Sequence, residues 1–343
     1  MDQIAQAAGV SRLSVHRAIN AQAGVGQRTR QRILSVSRRL GYRPNAAARA
    51  MRNGRFGCLS LLLSSGRYRS LLPQHLLEGI VSEAAAHDCN IMVSSLDEGV
   101  FGAAQQQLKT LRELASDGLL INYHTDVPRE LEQWVRSHAT PAVWLNTKRP
   151  VDSVYSDDLA LGRLMTRRLL ELGHRRVAYL DFHHDDQAPQ AHYSVLDRGE
   201  GYARAMVEAG LRPQIVRRRT KDNPAERLRV TRDILAADSP PTALVLYTAD
   251  DAGAVALAAA TMGLSIPDDI SVVAEWPEAI APFGVPLTVG AHQRREMGEA
   301  SVRMAMEKIE HPGRKLPSLA VAPVIIEGAT TASPRPVAAG VQP

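Results

Sequence analysis

The sequence predicts an all-helical unit at the N-terminus followed by an α/β core of two lobes built on parallel sheets. Three observations carry this prediction. Apolar residues recur at helical spacing through the first forty positions. From residue 57 onward, short β-runs alternate with helical stretches, the pattern of strand-helix-strand crossovers. Those alternations fall into two similar sets, which implies two lobes with a cleft between them. The 343 residues are 45% hydrophobic and 22% charged, ordinary globular composition with room for a small domain and a larger core. No apolar run is long enough to span a bilayer and the N-terminus shows no hydrophobic leader, so a cytoplasmic location is expected. Cys58 and Cys89 are too few for a disulfide framework or a cysteine-based zinc site, and free thiols are expected.

The first helix is expected over residues 2 to 8, where Ile4, Ala5 and Ala8 keep helical spacing. Gly9 can close it, and Ser11 is a good N-cap for a second helix beginning at Arg12. At about 100° per residue, Val15, Ala18 and Ile19 share one arc of that helix while Arg12, Leu13, His16 and Arg17 share the opposite one. This is the helix-turn-helix pattern, whose second helix lies in the DNA major groove. A third amphipathic helix over 27 to 39, with Ile33, Leu34 and Val36, ends at Gly41. Beyond it, Pro44 breaks the chain, Asn45 can cap, and Ala46 to Met51 form a short helix stopped by Gly54. So short a helix is marginal alone and should order only against a partner.

Charge supports a polyanionic partner. Residues 1 to 55 hold eleven arginines and one acid, Asp2, a balance of +10, so the remainder of the chain must be near −5 to give the overall +5. A merely solvated face mixes both signs, whereas a one-sided segment is best explained by nucleic acid.

In the core, strands are expected at about 57 to 63, 90 to 95, 118 to 122, 141 to 145 and 153 to 156, with helices at 74 to 87 and 103 to 116. A second set has strands at 176 to 181, 214 to 218, 243 to 247, 270 to 274 and 287 to 290. Its helices fall at about 160 to 172, 198 to 209, 225 to 236 and 250 to 262.

The run Gly9-Val-Ser-x-x-Ser-Val-x-Arg-x-x-Asn20, then Thr29-Arg30, then Gly41-Tyr42-x-Pro44-Asn45-x-Ala-Ala48-Arg49 and Gly54, resembles the headpiece and hinge of the lactose-repressor (LacI/GalR) family of bacterial transcription regulators. The resemblance continues through Asp117-Gly-Leu-Leu-Ile, Asp157-Asp-Leu-Ala-Leu-Gly162, Leu172-Gly-His, Arg198-Gly-Glu-Gly-Tyr202 and Gly263-Leu-Ser-Ile-Pro-Asp-Asp-Ile, and so covers nearly the whole chain. One departure is that the family's capping Thr or Ser before the first helix has no counterpart here. The resemblance implies a periplasmic-binding-protein-like core whose chain crosses between lobes near 157, 290 and 320. It implies these divisions: a helix-turn-helix headpiece over 1–43, a hinge helix and linker over 44–56, and a core over 57–330; the tail over 331–343, rich in Ala, Pro and Gly, is expected to be unstructured.

The same resemblance assigns base-edge contact to Arg12, Leu13 and Arg17, Arg suiting guanine and Leu a thymine methyl. Ser11, Ser14, Thr29, Tyr42, Asn45, Ala48 and Arg49 belong to the expected DNA-facing set as positioning or structural residues. His16 either contacts phosphate or is simply exposed. In the family, hinge helices of two protomers pair in the minor groove and wedge an apolar side chain into a base step; Met51 holds that position.

In the cleft, Arg198 matches the family arginine that grips the effector and Asp157 an acidic position at the lobe junction. Such a pair suits the hydroxyls of a sugar or the carboxylate of a sugar acid. Two departures alter the site: Ala274-Glu275-Trp276-Pro277 replaces the family's Gly-aromatic-Asp-Asp, and Thr248-Ala249-Asp250-Asp251 leaves the register of the preceding loop open. Thr248, Asp250, Glu275 and Trp276 therefore join the expected effector set, with Trp276 either stacking on a ring or packing in the core. His183-His184-Asp185-Asp186 reads as a solvated loop, since four consecutive residues cannot converge on one metal ion. No nucleophile elbow, metal-binding helix or phosphate loop appears, so neither an enzyme, a cofactor nor a metal is expected. The reading is a homodimeric regulator, a repressor of a pseudo-palindromic operator in double-stranded DNA, controlled by a small sugar-like effector and without membrane attachment. The alternatives are a non-sugar ligand such as a purine, or a solute-binding receptor without DNA function; the arginine-rich headpiece speaks against the latter.

Overall fold

The computed structural model describes residues 1–20, 22–42, 54–66, 70–96, 115–184, 192–220 and 223–335. The chain divides into two compact units, Met1–Phe56 and Gly57–Pro343. In the first, α1 (Asp2–Ala8) ends at Gly9, whose φ of 62° is the left-handed conformation that glycine adopts without steric cost. Met1 stands at its N-cap position with no side-chain cap. Helix α2 (Arg12–Ile19) is capped as expected, with Ser11 Oγ accepting from the Ser14 amide at 3.1 Å. Helix α3 (Gln27–Arg39) follows. Ile4, Ala8, Val15, Ala18, Ile33 and Val36 form one small apolar core, against which Tyr42 packs. None of the described helices is long and apolar enough to cross a membrane.

The second unit contains two six-stranded sheets. The first lobe runs β1 (Cys58–Ser64), α4 (Gln74–Ala86), β2 (Asn90–Leu96), β3 (Gly118–Asn122), α5 (Arg129–Ser137), β4 (Ala142–Leu145) and β5 (Ser153–Ser156). The second runs α6 (Asp158–Glu171), β6 (Val177–Asp181), α7 (Tyr193–Glu208), β7 (Gln214–Arg217), α8 (Pro224–Leu235), β8 (Ala243–Leu246), α9 (Ala252–Thr261), β9 (Ser271–Glu275) and β10 (Thr288–His292). The chain then returns with α10 (Arg294–Glu310) and β11 (Leu319–Val321) in the first lobe and β12 (Pro323–Ile326) in the second. Strand order is β2-β1-β3-β4-β5-β11 in one sheet and β7-β6-β8-β9-β10-β12 in the other, parallel throughout except that β12 runs antiparallel to β10. In such sheets ligands bind beyond the carboxyl ends of the strands, near the point where strand order reverses. The three crossings lie side by side: the Asp157 amide donates to Val321 O at 3.0 Å, and Gln293 Nε2 to Ala322 O at 3.1 Å.

Both lobes use the same device to hold a helix pair. In α6 and α7, a Cβ on Gly162 would lie 2.0 Å from Arg198 O, and one on Gly201 would lie 2.1 Å from Leu159 O. In α4 and α10, Gly79 and Gly298 meet Arg295 O and Leu76 O in the same way. Only glycine permits this backbone-to-backbone approach.

The expected strands over 57 to 290 all form, with ends shifted by one or two residues. Helix α7 begins at Tyr193, five residues earlier than expected, because His192 accepts the Ser194 amide as its cap. Helices α5 and α10 and strands β11 and β12 were not expected as elements. The buried face of α10 includes Gly298, Ala300, Ser301 and Ala305, small side chains that carry little apolar periodicity. The chain from Thr331 to Arg335 is not a free tail. Ala332 O accepts from His174 Nε2 at 2.9 Å, and Arg335 pairs with Asp269 at 2.5 Å. The hinge helix over 46 to 51 and all but two residues of the helix at 103 to 116 lie outside the described residues.

Gly201→Ala should overpack the α6/α7 crossing and cost about 1 to 3 kcal/mol. Gly253→Ala, in α9 with nothing within 4 Å of its added methyl, should be neutral or stabilise by up to about 1 kcal/mol. Parallel urea melts of the two variants check the contrast; equal effects would contradict the close approach.

Candidate functional site

Two surfaces carry the expected site residues. On the first unit, α2 buries Val15 and Ala18 and turns Ser11, Arg12 and Leu13 outward. Leu13 is 57% exposed, the most exposed of the large apolar side chains described in this unit. Arg12 has Asp2 3.6 Å away in an exposed, weak pair. Arg17 is half-buried, its guanidinium lying close against Gly24. Ser14, His16 and Thr29 are half-buried, and Tyr42 packs into the core of the unit. Asn45, Ala48, Arg49 and Met51 lie outside the described residues.

The second surface is a cavity of about 660 Å³ between the two lobes. Its walls follow the carboxyl ends of strands from both sheets. His124 and Thr125 come after β3, Asn146 after β4, His184 after β6 and Tyr247 after β8. Glu275 ends β9 and His292 ends β10.

At its centre stands Arg198, in the second turn of α7 rather than at the helix start. It is 4% exposed. Nε and Nη2 both donate to Asp158 Oδ1, at 2.9 and 2.6 Å. Nη1 donates to Tyr247 O and, at 3.4 Å, to Glu275 Oε2. The guanidinium also lies 4.3 Å from the centroid of the Tyr247 ring. His292 Nε2 reaches the same Asp158 oxygen at 3.1 Å, and Arg294 Nη2 reaches Glu275 Oε1 at 3.4 Å. Burial opposes ionisation of Asp158, but the charges of Arg198 and His292 outweigh it and hold the carboxyl well below the usual range. Burial likewise penalises the Arg198 cation, and Asp158 and Glu275 more than compensate, so it stays charged.

Several expected effector residues stand elsewhere. Asp157 caps α6, accepting the Ala160 amide at 2.9 Å, and the carboxylate lining the cavity belongs to Asp158. A capping side chain folds back onto its own helix, which leaves the first-turn residue to face the cleft. Thr248 caps a short turn at Ala249–Asp251 and Asp250 is exposed; Tyr247 is the cavity residue of that loop. Trp276 packs against the apolar core of the second lobe. His183 and His184 are half-buried rather than solvated, with both backbone amides donating to buried Asp181. Asp185 and Asp186 lie outside the described residues. Among the described residues no group of three or more His, Cys, Asp or Glu side chains is placed to hold a metal ion.

The fold agrees with the comparisons with known proteins. Residues 1–45 match the family of bacterial regulatory proteins, lacI family, and residues 166–331 match a periplasmic binding protein-like domain. The chain thus joins a segment similar to the lacI family of bacterial regulatory proteins to a periplasmic-binding-protein-like segment. It is 25% identical over 317 residues to the HTH-type transcriptional repressor PurR of Vibrio campbellii, covering 90% of this chain and 91% of that protein. It is 28% identical over 331 residues to the HTH-type transcriptional regulator CelR of Thermobifida fusca, covering 90% and 91%. Among solved structures, the lac repressor dimer bound to operator and the anti-inducer ONPF superposes with a TM-score of 0.73 at 22% identity, covering 96% of this chain and 98% of that one.

One cleft histidine gives the protein a testable acid sensitivity. Burial holds His124 at about 3, and His192 and Arg294 act in the same direction. The unfolded chain takes up this proton near the ordinary value of 6.5, so the stability contribution is complete above that pH and is lost as pH falls from 6.5 towards 3. Urea melts at pH 7.5 and 5.0 should differ less for His124→Asn than for the natural chain; an unchanged difference would place the acid sensitivity elsewhere.

Proposed function

We propose that the chain is a repressor that binds a pseudo-palindromic operator as a homodimer, from the cytoplasm, with its affinity set by a small polar effector held in the inter-lobe cleft. The observation that carries the DNA half is α2. Its buried face is fixed by Val15 and Ala18, and its outward residues Arg12 and Leu13 stand on a unit with almost one sign of charge. Arg12 and Arg17 supply guanidinium forks for guanine edges, and Leu13 an apolar contact for a thymine methyl. Ser11, Ser14, His16 and Thr29 flank them as phosphate-positioning groups, and the segment through Asn45, Ala48, Arg49 and Met51 is assigned to the minor groove. The lac repressor structure, described as a dimer bound to operator, supports the dimeric arrangement by analogy of fold.

The effector half rests on the cavity at strand carboxyl ends, where ligands of doubly wound folds bind. Glu275 and Arg198 line it, while Asp158 replaces Asp157 in the assigned set. A ligand that favours one lobe spacing over another would shift the separation of two headpieces and hence DNA affinity.

Selection of binding sequences from a random duplex pool, followed by footprinting, tests the reading. The expected result is a two-fold site. Arg12→Ala should weaken binding to it about five- to hundredfold, the loss of one bidentate base contact, with a smaller effect on random DNA. Absence of sequence-selective binding, with or without cleft ligands, would contradict it.

A further inference from the structure

We propose that the effector carries a carboxylate: the cleft takes an acidic, hydroxylated compound of the sugar-acid kind in preference to the corresponding neutral sugar. This rests on the cleft being the effector site.

The cavity lining contains three guanidinium groups, Arg198, Arg219 and Arg294, and two carboxylates, Asp158 and Glu275. Counting the guanidiniums and carboxylates alone, this leaves an excess of one positive charge, in a site walled by protein where field lines are focused. Both carboxylates are already committed: Asp158 to Arg198 and His292, Glu275 to Arg198 and Arg294. Neither is left as an uncompensated anion that would repel an acid.

The three cations differ in how far they remain available to a ligand. Nε and both terminal nitrogens of Arg198 are engaged, and its face rests on Tyr247, so it acts as a post that organises the cleft. Arg294 is different. Its one ion pair among the described residues is the 3.4 Å approach to Glu275, leaving most of its five donors unused. Arg219 is exposed at the cavity mouth and makes no ion pair among the described residues. Two guanidinium forks facing one cavity match the planar geometry of a carboxylate.

The wall around these cations is also polar without adding negative charge: His292 lines it, with its Nε2 held on Asp158 at 3.1 Å. Thr125, Asn146 and Ser194 add neutral hydrogen-bonding groups for further hydroxyls, and Leu76 and Met297 give an apolar wall for a carbon skeleton.

Titration calorimetry on the full chain tests the proposal with matched probes: D-gluconate, D-glucuronate and D-galacturonate against D-glucose and D-galactose. At least one acid should bind more than about tenfold tighter than its neutral counterpart, with the preference shrinking as salt is raised. Arg294→Gln should weaken the acid about ten- to hundredfold, the loss of a charge-assisted hydrogen bond, and the neutral sugar much less. Arg219→Gln, on an exposed side chain, gives the same comparison if the first variant does not fold. A neutral sugar that binds as tightly as its acid and loses affinity in Asn146→Ala would overturn the proposal while keeping the cleft as the effector site. Binding indifferent to Arg294→Gln, Arg219→Gln and Asn146→Ala alike would overturn both. No binding by any of the three acids would also overturn the proposal.

Discussion

The Arg198–Asp158 pair is the interaction on which the cleft depends. Asp158 sits in the first turn of α6 and Arg198 in the second turn of α7, and they meet at 2.6 Å with both side chains almost wholly buried. They can do so because Gly162 and Gly201 let the two helices cross backbone against backbone. Any side chain at either position would push the carboxylate and guanidinium apart. The pair is extended by His292 at the end of β10 and by Glu275 at the end of β9, so a helix pair of one lobe is tied to strands that lead into the crossings. Desolvating such charges is costly, and removing one partner of a buried pair typically costs about 3 to 5 kcal/mol because the other is stranded. The ladder therefore contributes to specifying the cleft geometry as much as to stability.

Weaker bonds span the mouth of the cleft. Tyr193 donates to Asn146 Oδ1 at 2.9 Å and His192 Nε2 bonds Asn146 O at 2.9 Å. Lys148 pairs with Asp197 at 2.6 Å, and His75 with Glu278 at 3.2 Å. The two ion pairs, at least one partner of each exposed to solvent screening, are worth about 0 to 1 kcal/mol each. Lobe spacing set by such bonds responds to a ligand offering a few kcal/mol of differential contact, the scale on which a binding-controlled switch operates.

The headpiece was legible because its signals are local. Ser11 caps three residues ahead, Gly9 takes the left-handed turn, and the arc of Val15 and Ala18 sets which side of α2 faces out. The strands of the core were legible for the same reason. The cleft was less so. Asp157 and Asp158 are neighbours of one residue type, and only the capping bond to Ala160 decides which of them turns inward. Tyr247 was hidden beside the more suggestive Thr248 and Asp250. Trp276 read equally well as a ligand platform or as core, and it packs, half-buried, against the core of the second lobe. His292 and Arg294 carry no motif: His292 meets Asp158 across 134 residues of sequence. Only the folding of the second sheet and its return crossing brings them together.

Ligand control of the proposed kind requires the cleft and the DNA surface to be coupled. Fluorescence anisotropy of a labelled operator duplex, titrated with the full chain in the absence and at saturation of the tightest cleft ligand, measures that coupling directly. The account predicts a change in operator affinity of about five- to 150-fold, with the ligand's own affinity changed by the same factor when operator is present. An operator affinity that does not move at ligand saturation would contradict it.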